Sequence, residues 1–132
     1  MIKLSKIVEQ AYEPIKVGAS RLADTQHPDT VIIPQDKVTS QLSKVGAKDW
    51  QVEVNDKGIV QIVLDSKFED YKKTLKFVND VAKISEKMDH HADIFFTYDT
   101  VKITIYSHSH NAITQKDIEF ADAVSKKQNQ DH

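Results

Sequence analysis

SKFEDYKKTLKFVNDVAKISEKMDHH, residues 66–91, is the stretch on which the fold turns. Phe68, Tyr71, Leu75, Val78 and Val81 or Ala82 recur every three or four positions, the apolar stripe of an amphipathic helix of about five turns. Ser66 with Glu69 three residues on matches a capping box at its start. The pattern stops near Met88, so Asp89, His90 and His91 fall just past the C-terminus, where the negative end of the macrodipole favours cations.

Working outward, the segments on either side of this helix read as strands. Upstream, Trp50, Val52 and Val54 alternate, Asn55-Asp56-Lys57-Gly58 has turn chemistry, and Ile59 to Leu64 is a continuous β-prone run, together a predicted hairpin. Before it, Val38, Leu42 and Val45 share a helix face between Pro34 and Gly46, residues suited to starting and stopping a helix. Downstream, Ile94 to Tyr98 is a strand candidate. After Asp99-Thr100, the apolar Val101, Ile103 and Ile105 alternate with Lys102, Thr104, Tyr106, His108 and His110, which predicts one apolar face and one face carrying the chemistry. Thr114 with Asp117 then resembles a cap ahead of Ile118, Ala121 and Val124.

The order is α-β-β-α-β-β-α. Short hairpin links without βαβ crossovers predict an α+β fold, a four-stranded antiparallel sheet with its helices packed on one face. Residues 1–35 read as an N-terminal helical extension and linker: Leu4, Ile7, Val8 and Ala11 are helically spaced up to Pro14, and a turn-rich stretch lies at 24–29. The expected domain is 36–128, followed by a polar tail at 129–132.

Composition bounds the function. The chain has 132 residues, 39% of them hydrophobic and 29% charged, with 3 Gly and 3 Pro, which is globular and not disordered or collagenous. No apolar run reaches the roughly 20 residues that span a bilayer, so no membrane role is expected. With 18 Lys and Arg against 20 Asp and Glu, the net charge is -2. The basic excess that accompanies nucleic-acid binding is missing, and no direct nucleic-acid partner is expected. Zero cysteines exclude disulfides, thiolate nucleophiles and Cys-based zinc sites, and a cytoplasmic setting is expected. There is no Gly-rich phosphate loop and no nucleophile elbow, which removes support for phosphoryl transfer and α/β-hydrolase chemistry.

Four of the six histidines fall between positions 90 and 110. Histidine gives and takes protons near neutrality, with an unperturbed pKa of about 6.5. One reading is acid/base catalysis, with His90 or His91 at a helix end facing His108 on a strand; such positioned proton transfers typically contribute 10²- to 10⁴-fold each. A second is a metal site, because His108 and His110 would share a strand face and the His90-His91 pair could add a ligand. The bland alternative is that the histidines cap a helix and dot a solvated strand. Four within one local unit weaken it.

Taken together, Glu86, then His90-His91 after three residues, Tyr98, His108 after nine more, and Asp117 resemble the signature of the pterin-4a-carbinolamine dehydratases, also known as dimerisation cofactors of a homeodomain transcription factor. The similarity covers roughly residues 36 to 127 and includes Trp50, the hairpin and the Phe68 helix. The resemblance implies dehydration of a 4a-hydroxytetrahydropterin, the by-product of aromatic amino acid hydroxylases, to the quinonoid dihydropterin in tetrahydrobiopterin recycling. It implies no metal and no organic cofactor, a pterin substrate, and a homodimer or homotetramer. Carried over by position, His90, His91 and His108 are the catalytic set, with His91 and His108 for proton transfer and His90 for binding and charge stabilisation. Glu86, Ala92, Ser107, Ser109, His110 and Asp117 are the expected substrate-binding residues around them, and Asp117 would orient a histidine or the pterin ring.

The chain departs from the family pattern at Ala92, where Pro is usual, at Ile94, where Trp is usual, and at Ser107 and Ala112, where Thr and Gly are usual; His110 exceeds the motif. Loss of Pro removes a fixed φ beside His91, and Ala112 matters if its backbone needs φ > 0. Two other functions stay open on the sequence: a binding or dimerisation module on the same fold, and a His-ligated metalloenzyme.

Overall fold

The computed structural model describes residues 31–131. The helical segment expected ahead of Pro14 and the turn-rich stretch at 24–29 lie outside the described residues. Within them, helix α1 is Gln35–Lys44, strand β1 is Gln51–Val54, β2 is Val60–Lys67, helix α2 is Tyr71–Met88, β3 is Asp93–Phe96, β4 is Thr100–Ile105 and helix α3 is Gln115–Asp131. The strands form a single antiparallel sheet in the order β1-β2-β4-β3, so the two hairpins join through their second strands. This is the α+β order read from the sequence.

Register sets which side chains meet the helices. Leu64 pairs with Ile103, Ile62 with Ile105, Val52 with Ile62 and Ile94 with Ile103. Because side chains alternate across a strand, these positions all face the same way. There they pack with Val38 and Leu42 of α1, Phe77 and Val81 of α2, and Ile118, Phe120, Ala121 and Val124 of α3 into one core cluster. Lys102 and Asp65, paired with each other, occupy the opposite, exposed face.

Local chemistry fixes the ends of α1. Pro34 precedes its first turn and its carbonyl accepts the Lys37 N–H at 2.8 Å. Gly46 sits at φ +80, a left-handed conformation that only glycine adopts cheaply, and this lets the Ala47 N–H reach back to the Leu42 carbonyl at 2.8 Å. Residues before α1 also belong to the packed body: the Ile33 N–H donates to the Ile113 carbonyl at 2.8 Å and the Gln115 N–H to that of Val31 at 2.9 Å. Trp50, buried just ahead of β1, donates from Nε1 to Ser125 Oγ at 3.2 Å and meets Phe120 edge-on.

Two local expectations are corrected. The start of α2 is not a Ser66–Glu69 box. Strand β2 runs on through Ser66 and Lys67, paired with Val101 and Thr100 of β4, and the Phe68 N–H continues the link to Asp99 O at 2.7 Å. Those ladder bonds hold Ser66 and Phe68 outside the helix, and Asp70 caps it, its carboxylate accepting the Lys73 N–H at 2.9 Å. Phe68 still joins the core, its ring 5.1 Å from that of Phe77.

The second correction is at β4, which ends at Ile105, so His108 and His110 do not sit on a strand face. A bridge between Ser107 and Ala112 turns the chain instead, with the Ser107 N–H donating to the Ala112 carbonyl at 2.9 Å. The turn is possible because Asn111 takes φ +48, a left-handed conformation that Asn tolerates. Ala112 itself is spared a positive φ. Among the described residues, no helix is long and apolar enough to cross a membrane.

Candidate active site

Helix α2 delivers its histidines by a specific ending. Asp89 adopts φ +52, ψ +44, and its N–H donates to the Glu86 carbonyl at 3.1 Å. This left-handed residue folds the chain back so that the His90 N–H reaches the Ser85 carbonyl at 3.0 Å, a Schellman-type closure. The buried Ser85 holds the next residue too, its Oγ accepting the Ala92 N–H at 3.4 Å. That bond uses the backbone donor a proline at position 92 would lack. Ala92 packs against the core and does not line the cavity described below.

Helix α3 supplies the group that receives His90. Thr114 and Asp117 form the capping arrangement read from the sequence: the Thr114 N–H donates to Asp117 Oδ2 at 2.8 Å, while Thr114 Oγ1 accepts the Lys116 N–H at 3.3 Å. Asp117 is fully buried. Its Oδ1 lies 2.5 Å from His90 Nε2, and its Oδ2 also accepts from Ser107 Oγ at 2.9 Å.

Hydrogen positions follow from valence. An ionised carboxylate only accepts, so Ser107 spends its proton on Asp117 and must accept from Thr114, 2.8 Å away. By the same rule His90 Nε2 is the donor in its contact with Asp117. Phe120, on the same face of α3 as Asp117, meets the His90 ring edge-on at 6.3 Å.

The other two imidazoles are held more loosely. His91 Nε2 lies 2.9 Å from Glu86 Oε1, both side chains largely exposed at 59% and 83%, so the pair orients His91 more than it stabilises the fold. His108 is exposed beyond the end of β4, its ring centroid 4.2 Å from that of Tyr106 at a tilt of 33°.

His90, His91, Ser107, His108, Ser109 and Lys116 line one cavity of about 280 Å³. Three histidines from two distant segments thus surround one small-molecule-sized space, with Asp117 behind His90 and Glu86 beside His91. His110 is exposed in the turn, its N–H donating to the Ser107 carbonyl at 3.1 Å, and does not line the cavity. Tyr98, part of the sequence signature, stacks on Tyr71 at the β3–β4 turn, the opposite end of those strands from the histidines. Among the described residues, no three His, Asp or Glu side chains are grouped as metal ligands.

Sequence reasoning missed Lys116, Ser85 and Tyr106. Lys116 lines the cavity, with its Nζ donating to the Asp89 carbonyl at 3.4 Å. Its place beside Asp117 in the first turn of α3 was the available signal. Tyr106 stood in the alternating series with His108 and offered one as well. Ser85 gave none, since its role depends on where the chain turns after Asp89.

The sequence profile of the pterin 4 alpha carbinolamine dehydratase family matches residues 31–127. Two provisionally named pterin-4-alpha-carbinolamine dehydratases are similar to the chain. That of Alkaliphilus metalliredigens is 28% identical over 98 residues, 74% of this chain and 84% of the relative. That of Trichormus variabilis is 31% identical over 90 residues, 68% and 89% respectively. A solved structure described as a transcriptional coactivator/pterin dehydratase from Brucella melitensis superposes with a TM-score of 0.62 at 28% identity, covering 72% of this chain and 96% of that one.

Proposed function

The chain belongs to the pterin 4 alpha carbinolamine dehydratase family, and on that premise we propose that it removes water from a 4a-hydroxytetrahydropterin to give the quinonoid dihydropterin. The observation that carries the reading is the convergence of His90, His91 and His108 on one cavity. The reaction breaks the C4a–O bond, removes the N5 proton and forms the C4a–N5 double bond. It is redox-neutral and requires one proton donor and one proton acceptor.

In this mechanism a protonated imidazole gives its proton to the departing hydroxyl and a neutral imidazole takes the N5 proton, so water leaves and the two rings exchange protonation states. His91 and His108 fit those two tasks because their rings are accessible. His90 fits binding and charge stabilisation: it is mostly enclosed and its Nε2 is committed to Asp117. Asp117 is a positioning residue, and Ser107, Ser109 and Lys116 supply polar contacts around the pterin. A place in tetrahydrobiopterin recycling and a cytoplasmic setting belong to the same reading.

Purified protein is expected to accelerate the loss of 4a-hydroxypterin absorbance without added metal, and His108→Ala to remove most of that acceleration. A folded but inactive wild type would sink the proposal.

A second reading is an assembly module on the same fold. It is favoured by strand β3, a sheet edge that carries exposed Phe95 and Phe96 with exposed Tyr98 just beyond it, Phe95 being 67% exposed. Unpaired edge N–H and C=O groups beside aromatic surface support self-association as a homodimer or homotetramer. Catalysis and assembly are compatible, and strictly monomeric behaviour in light scattering would count against the oligomer.

A further inference from the structure

We infer that Tyr106 is a positioning residue for His108, an aromatic platform that fixes the imidazole plane while leaving both of its nitrogens open to substrate; the catalytic consequence rests on the proposed dehydratase reading. Each of the three cavity histidines has its own holder. His90 is tied through Nε2 to Asp117, and His91 through Nε2 to Glu86. For His108, the holding contact is to a ring and not to a hydrogen-bond partner: Tyr106, with centroids 4.2 Å apart and planes tilted by 33°. That geometry is a face contact, which restrains rotation about the side-chain torsions without occupying a lone pair or an N–H.

The platform is itself anchored. Tyr106 follows the last residue of β4 directly and packs, partly buried, against the core cluster. On its other side Ser107 is pinned by the backbone bridge to Ala112 and by its hydroxyl bond to the buried Asp117. The backbone on both sides of the Tyr106–Ser107 pair is therefore rigid, and the exposed His108 ring would be the loose member of the constellation without the tyrosine. Loss of the ring face is expected to lower kcat by roughly 10- to 100-fold with a small change in KM, since misplacing a reacting group acts on the chemical step.

The test compares Tyr106→Phe and Tyr106→Leu in the full chain. Phe keeps the face and is expected to hold kcat within about twofold of wild type, whereas Leu is expected to lose it while KM and the thermal midpoint change little. A spectroscopic readout accompanies the kinetics. The His108 ring protons, assigned with His108→Gln, should show nuclear Overhauser contacts to the Tyr106 ring in the wild type and ring-current displacements that Phe preserves and Leu abolishes.

Wild-type protein lacking those contacts overturns the inference whatever the fate of the Leu variant's folding. So does a Leu variant of unchanged kcat, or a Phe variant as impaired as Leu, which would assign the effect to the hydroxyl. If the wild type shows no dehydratase activity, the functional reading fails on its own, and the magnetic contacts alone uphold or overturn the positioning of His108 by Tyr106.

Discussion

Asp117 concentrates more of the site than any other residue. It occupies a position on the buried face of α3 where the helical pattern calls for an apolar side chain, and it receives His90, Ser107 and the Thr114 N–H at once. Asp117→Ala would strand three donors in a fully buried place, and we expect a loss of about 3–5 kcal/mol of stability, read from urea denaturation. Ser85 works on a smaller scale. Its carbonyl and hydroxyl receive the His90 and Ala92 N–H groups, so the histidine turn is held by hydrogen bonds where a proline would have held it by its ring. Ser85→Ala keeps the carbonyl bond and removes the other; we expect about 1 kcal/mol of destabilisation and faster hydrogen exchange at the Ala92 amide, with an unchanged exchange rate there as the contrary result.

Among the elements, α2 shows how a strand can overrule a local signal. Ser66 and Glu69 have the spacing of a capping box, yet the β2–β4 ladder extends through Lys67 and carries the helix start to Asp70. The two assignments differ in a measurable way: Asp70→Ala should cost about 1 kcal/mol, whereas Glu69→Ala, at an exposed residue paired with Lys73, should leave the denaturation midpoint nearly unchanged. The opposite end of α2 depends on Asp89 accepting a left-handed conformation, and the end of β4 on Asn111 doing the same. These two turns, each built on a short polar side chain, aim His90–His91 and His108 at one another. Both lie at the same end of the β3–β4 hairpin because antiparallel pairing brings the residue before β3 beside the residues after β4.

For the whole molecule, the layer arrangement leaves the histidine cavity at one end of the sheet and an aromatic edge along β3. The proposed self-association should use that edge, since its exposed Phe95 points away from the helices on the face that also carries Lys102. Phe95→Lys is expected to shift the weight-average mass in light scattering toward monomer without altering the far-ultraviolet spectrum. An unshifted mass would assign assembly to another surface.

What the sequence determined by itself is the order of elements, the antiparallel α+β class and the cluster of histidines from which the candidate site is drawn, because periodicities of two and near four report burial directly and because histidines clustered between 90 and 110 are visible without coordinates. The Thr114–Asp117 cap was legible for the same reason: its partners are three residues apart. Tertiary structure alone decided that Asp117 holds His90, across 27 positions, that Ser85 holds the turn at Ala92, and that His108 leaves the strand while His110 misses the cavity. Those outcomes depend on where the ladder stops and which residues bend left-handed, a competition between long-range pairing and local preference that no single segment contains.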